Sequence, residues 1–137
     1  MLDTDSVAAA LRSPVGASAA IIRAVRREKA TLLSIVPLAL EYEAVCRRPE
    51  HRLAAGLSDG QVEIFLDTLI AMAEPVETHF LWRPQLRDPN DEMVLEAAVN
   101  GRADALVTFN RRDYGAAPAR FGLEVLLPRE ALMRIGL

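Results

Sequence analysis

Short apolar runs alternate with helix-period segments along this chain, and that alternation decides the fold class. Ala105-Leu106-Val107-Thr108 is apolar, β-branched in part and too short for a helix. It suits a buried parallel strand. Thr31 to Ile35 and Leu123 to Leu127 read the same way, Met1-Leu2 is a very short first strand, and Pro75 to Glu77 is an edge-strand candidate. Helical segments lie between them: Ser6 to Leu11, Ala17 to Lys29, Pro37 to about Arg47, a segment after Ser58, Asp88 through Val99, and Pro128 to Ile135. Ser58 and Gln61 form an S-x-x-Q capping box. Asp88-Pro89 is an N-cap followed by a first-turn proline. Asn100-Gly101 ends that helix, with the glycine expected to supply a left-handed cap. Pro49 is expected to stop the helix before it, and Asn110 to Tyr114 reads as a loop or a single turn.

Strands alternating with helices imply βαβ units and a mostly parallel sheet covered on both faces. The expected class is α/β, a three-layer α/β/α arrangement whose first strand is truncated. At 137 residues the chain suits one domain spanning residues 1–137. Ligands of such sheets bind outside the carboxyl ends of the strands, so the functional residues are sought there.

Composition narrows the function classes. A hydrophobic fraction of 51% with 26% charged residues can bury a core, which excludes wholesale disorder. A net charge of -3 excludes a protein that coats nucleic acid by charge alone, though not local basic patches. One cysteine, Cys46, allows no intrachain disulfide framework and fits a reducing compartment, the cytoplasm. No run approaches the roughly 20 apolar residues of a membrane span, and the Met1-Leu2-Asp3 start has no signal-peptide pattern. Lys29 is the only lysine and ends a charged stretch, so a solvated role is expected.

Several carboxylates fall where they can converge on one end of a parallel sheet. Asp3 follows the first strand, and Asp91 stands in the first turn of the helix before the 105–108 strand. Glu41 lies beside the apolar stripe of its helix, where a carboxylate needs a partner. Two such charges about 4 Å apart repel by roughly 4 kcal/mol at an effective dielectric near 20. Either some protonate or a cation neutralises them. Oxygen ligands without cysteine or paired histidines favour Mg²⁺ or Mn²⁺ over Zn²⁺, and such an ion suits phosphoryl chemistry. Each residue also has a plainer reading. Asp88 reads as an N-cap, Asp91 could be a first-turn dipole residue, and Asp59, Asp67 and Asp104 read as surface or cap positions. His51 and His79 lack ligand spacing. Asp3-Thr4-Asp5 also matches the D-x-D of small phosphatases, but Lys29 is badly placed for that chemistry.

In four ordered pieces the chain resembles a PIN domain (PilT N-terminus-like), the nuclease of many toxin–antitoxin pairs. Leu2-Asp3-Thr4-Asp5 is similar to the family's opening strand. Glu41-Tyr42-Glu43-Ala44-Val45 with Arg48-Pro49 resembles the second motif. Asp88-Pro89-Asn90-Asp91 leading to Leu95-Glu96-Ala97-Ala98 resembles the third. The fourth is Leu106 to Tyr114, and Leu127 to Leu132 is similar to the closing Pro-led helix. The resemblance implies a strand order of 3-2-1-4-5 and a metal-dependent ribonuclease. Asp3, Glu41 and Asp91 would match the Mg²⁺ or Mn²⁺ ligands. Asn110 or Asp113 would match the fourth polar position, and Thr108 the hydroxyl that orients Asp3 or a water. Asp5 and Asn110 depart from the family's usual residues, adding one charge and removing another.

RNA would be held by arginines, with Arg111 and Arg112 as first candidates and Arg47, Arg48 and Arg52 behind them. No aromatic pattern suggests a base-stacking platform. The resemblance further implies an antitoxin protein partner and a homodimer. Ile64, Phe65, Leu69 and Ile70 form an apolar helix surface that reads more readily as core than interface. A non-catalytic PIN-like binding module is the competing reading.

Overall fold

A computed structural model describes residues 1–78 and 84–136 of the protein. His79 lies outside the described residues. The described elements are α1 (Thr4–Arg12), α2 (Ala17–Arg26), β1 (Leu33–Ser34), α3 (Val36–Cys46), α4 (Pro49–Ala55), α5 (Asp59–Met72), β2 (Glu74–Pro75), α6 (Pro89–Asn100), β3 (Ala105–Val107), α7 (Arg111–Tyr114), α8 (Ala117–Arg120), β4 (Glu124–Leu126) and α9 (Pro128–Ile135). The class is α/β.

The strands form two small parallel sheets. β1 pairs with β2 in the register Leu33 with Glu74, and β3 pairs with β4 in the register Leu106 with Val125. Leu2 makes an isolated parallel bridge to Val107 rather than a strand. The bridge is closed by the Asp3 N–H donating to Val107 O at 2.9 Å and the Val107 N–H donating to Met1 O at 2.9 Å. A parallel strand alternates the side to which successive residues bond. Leu2 O therefore faces away from β3, toward where a neighbouring strand would pair. The Tyr42 hydroxyl, brought in by α3, donates to that oxygen instead. A side chain thus takes the ladder position between Leu2 and β1, and among the described residues no ladder joins the two sheets.

Local chemistry sets most boundaries. The Ser58 capping box closes as the spacing predicts, with Ser58 N–H to Gln61 at 2.9 Å and Gln61 N–H to Ser58 Oγ at 3.2 Å. Asp88 caps α6 through the Asn90 N–H at 2.8 Å. Three expectations are corrected. Pro49 ends one helix but also opens α4, because its fixed φ suits a first helical turn. Gly101 is not left-handed: its φ is -80°, and Arg102 adopts the positive φ of 53°. The glycine is needed for space. A Cβ there would stand 2.7 Å from Val76 Cγ2 and 3.2 Å from Leu33 Cδ1. On α5, Leu69 is buried but Ile64 and Ile70 are exposed, so only part of that surface is core.

Leu38, Leu66, Leu95, Leu106, Val7 and Tyr114 are fully buried and join α3, α5, α6, β3, α1 and α7 in one core. Cys46 belongs to it, and burial pushes its thiol up to about 11. α1 packs against α2, α3 and α4, while α6 packs on β3 and α7. The starts of α1 and α6 and all of α7 therefore gather at the carboxyl end of β3.

Candidate functional site

Asp3 is the first residue beyond the Leu2 bridge and the N-cap of α1. Its Oδ1 accepts the Thr4 N–H at 2.9 Å, satisfying one of the open donors at a helix start. Its Oδ2 accepts the Thr108 hydroxyl at 2.8 Å and the Tyr114 hydroxyl at 3.0 Å. The carboxylate is only 9% exposed. Burial, and then the Asp3 charge, push the Tyr114 hydroxyl far above its ordinary range, so it stays protonated and donates. Tyr114 lies in the quoted sequence pattern, yet its contact with Asp3 is the one sequence reasoning missed. A buried tyrosine needs a partner for its hydroxyl, but nothing local names a partner 111 residues away.

Asp5 stands one step along α1 and holds the loop after β3. Its Oδ2 accepts the Asn110 side-chain amide at 2.9 Å and the Phe109 N–H at 3.0 Å. The Thr108 hydroxyl is 3.2 Å from the same oxygen, so its proton bridges two carboxylates and sits closer to Asp3. Thr108 Oγ1 in turn accepts the Asn110 N–H at 3.0 Å. Burial, then the Asp3 charge, raise the Asp5 carboxyl above its ordinary range. Asn110 is thereby committed to Asp5.

Glu41 and Asp91 complete the group from α3 and α6. Burial raises Glu41, and the charges of Asp3 and Asp88 add to the rise while Thr4 and Arg48 oppose it. The Thr4 hydroxyl is buried with no partner in hydrogen-bonding geometry, although it lies close enough to Glu41 to lower its pKa. Asp91 is pushed up to about 6 by burial and by the charges of Asp88, Asp3, Asp113 and Glu41, in that order. Five carboxylates thus lie within mutual electrostatic reach.

A cleft of about 460 Å³ opens on this group. Asp88, Asp91, Asp113 and Tyr114 line it together with Arg87, Arg112 and Arg120. Arg112 is placed there as the sequence suggests, whereas Arg111 is held by Glu130 at 3.1 Å. Arg87 enters from the loop directly before Asp88, and Arg120 from the end of α8, which the sequence pattern does not mark as functional. Of the other arginine candidates, Arg47 pairs with Glu43 at 3.3 Å and Arg52 with Asp59 at 3.1 Å.

The donor chemistry fits a hard divalent cation: oxygens only, mutually repelling, with an unpartnered buried hydroxyl at Thr4 beside them. Among the described residues, no three His, Cys, Asp or Glu side chains are close enough to form a finished metal site.

A family model described as a PIN domain matches residues 1–112. The chain belongs to the PIN-domain family. No curated protein and no solved structure matches it significantly. PIN domains are generally divalent-metal-dependent nucleases, and membership supports a hydrolase in that general sense. The match spans Asp3, Glu41, Asp88 and Asp91, while Asp113 and Tyr114 lie just beyond it. Among the described residues no helix is long and apolar enough to cross a membrane.

Proposed function

We propose that this PIN domain is an endoribonuclease that hydrolyses RNA phosphodiester bonds with Mg²⁺ or Mn²⁺, acting in the cytoplasm as the toxin of a toxin–antitoxin pair. The observation that carries the reading is Asp91. It stands in a cleft with Asp88 and Asp113, its carboxyl pushed up to about 6, while Arg87, Arg112 and Arg120 line the same cleft. Acidic centre and basic surround are what a phosphodiester backbone needs: a cation site for the reacting group and forks for its neighbours.

Asp3, Glu41 and Asp91 would hold the ion. When bound, it supplies charge neutralisation and Lewis acidity toward a phosphate oxygen. The chain's own residues do the positioning. Thr108 and Tyr114 fix the Asp3 carboxylate through two hydroxyl donors. Asp5 pins Phe109 and Asn110, which holds the loop after β3 against α1. Asp113 faces the cleft and accepts no hydrogen bond among the described residues, so its oxygens are available to orient a water. Arg87, Arg112 and Arg120 bind flanking phosphates.

The full strand order 3-2-1-4-5, counting Met1-Leu2 as the first strand, belongs to the same reading. The β1–β2 pair, the Leu2 bridge to Val107 and the β3–β4 pair are compatible with it. A homodimer and an antitoxin partner are proposed with it. Val36 and Leu40 on α3 and Ile64 and Ile70 on α5 support an interaction surface, being exposed on two helices that pack together. The first strand, reduced to the single Leu2 bridge, and the Asp5 carboxylate beside Asp3 favour a second reading, a PIN-like binding module without catalysis. A phosphatase gains nothing here, because Lys29 is exposed and lines a different groove.

The test is Mn²⁺-dependent cleavage of a mixed RNA pool by the wild type, Asp91→Asn and Asp3→Asn. Metal-dependent cutting that both substitutions abolish is the expected result. No cutting by a folded, Mn²⁺-saturated wild type would favour the binding module.

A further inference from the structure

Phe109 presents its ring to solvent beside the carboxylates. It is 50% exposed, in a chain with only 5% aromatic residues. Its backbone is fixed, because its N–H is committed to Asp5. The ring borders a slot of about 370 Å³ formed with Ser13, Ala17, Ser18, Pro128 and Arg129. That volume lies within the range of about 300–1,000 Å³ in which small ligands bind. The slot is mostly apolar with two polar features. Ser18 is 3% exposed and its hydroxyl has no hydrogen-bond partner, although a buried hydroxyl normally has one. Arg129 is exposed and makes no ion pair among the described residues.

We propose that this slot is a nucleobase subsite, in which a base of the RNA strand stacks on Phe109 and leaves its phosphate to Arg129. The proposal rests on the ribonuclease reading and adds where the strand runs beyond the reacting phosphate. A flat, mostly apolar wall fits a heterocycle better than a phosphate. Continuity favours RNA over a peptide: Phe109 lies between Thr108 and Asn110, whose side chains hold Asp3 and Asp5. A base in the slot is therefore one residue along the loop from the carboxylates.

The test is equilibrium binding, without divalent ion, of a fluorescein-labelled short single-stranded RNA and an abasic strand of equal length. The proteins are the wild type, Phe109→Ala and Phe109→Trp. Stacking on one aromatic ring predicts about a tenfold or greater loss of RNA affinity in Phe109→Ala, with affinity kept in Phe109→Trp. The abasic strand should bind the wild type and Phe109→Ala alike. In Mn²⁺-dependent cleavage, Phe109→Ala should raise KM about tenfold with kcat retained. Equal binding and equal KM for the wild type and Phe109→Ala would overturn the subsite and leave the nuclease standing; a peptide-docking Phe109 would give that result. A folded wild type that binds neither strand and cuts nothing would overturn both.

Discussion

The carboxylates of the site are held in two different ways. On one wall of the site, behind the cleft lining, Asp3 and Asp5 are buried or half-buried and saturated with donors: Thr4, Thr108, Tyr114, Phe109 and Asn110. On the other wall Asp91 and Asp113 accept no hydrogen bond among the described residues, and Asp91 feels four like charges. The first wall is part of the protein's fabric. The second is an unneutralised charge store. Removing the same chemical group should therefore cost stability on one side and only activity on the other.

The sharpest division is expected from alanine. Asp3→Ala leaves the buried Tyr114 hydroxyl unpaired, strips Thr108 of its shorter contact and leaves α1 uncapped, which should cost roughly 3 kcal/mol in urea unfolding. Asp91→Ala should stay within about 0.5 kcal/mol of the wild type, or stabilise it, when no divalent ion is present. Equal losses at the two positions would erase the distinction. Tyr114→Phe removes one donor to a charged acceptor at nearly constant shape, and about 2 kcal/mol is expected in the same assay.

The pH response sharpens the second wall. The folded pKa of Asp91 is raised from 3.8 to about 6, so protonation favours the folded state. Its contribution is fully present below about pH 4 and is lost as pH rises through 6. Glu41 and Asp5 are shifted in the same direction. Metal-free protein followed by thermal melting should lose stability from pH 4.5 to 7 through these groups, and Asp91→Asn should flatten that slope. Saturating Mn²⁺ should raise the midpoint more at pH 7 than at pH 5, because the ion competes with protons for the same oxygens. A slope unchanged in Asp91→Asn would refute the charge-store description.

The smallest effect is expected at Asp5→Asn. One amide oxygen can keep the Asn110, Phe109 and Thr108 contacts, the amide nitrogen can donate to the Ser6 hydroxyl, and a charge beside Asp3 disappears. Stability within about 0.5 kcal/mol of the wild type is expected by urea unfolding. A large loss would mean that the Asp5 charge, not its hydrogen bonds, holds the loop.

The first wall and the second were not equally legible in the sequence. Asp3, Glu41 and Asp91 stand out because their positions follow from strand ends, a helix stripe and a first turn. The capping box at Ser58 and the Asp88 cap are local codes read within a few residues. Tyr114, the Thr108 bridge between two carboxylates and the Asp5 clasp on Asn110 are contacts across about a hundred residues, and no local pattern encodes them. The same limit explains the sheet: alternation predicts parallel strands, but not that the Tyr42 hydroxyl takes Leu2 O. Arg87 adjoins the Asp88 motif and Arg120 adjoins none, yet only the fold turns both toward the cleft, just as it takes Arg112 there and leaves Arg111 on Glu130.

Gly101 has a consequence for how this chain can drift. The space of its absent Cβ is taken by Leu33 of β1 and by Val76, the residue after β2, so that both strand ends and the end of α6 share one small volume. The three positions are thus a single inheritable fit. An alanine at 101 demands a shorter residue at 76 or 33, while a larger side chain at either strand locks the glycine in. Among descendants of this sequence, bulk at 33, 76 and 101 should be traded between positions rather than gained at any one.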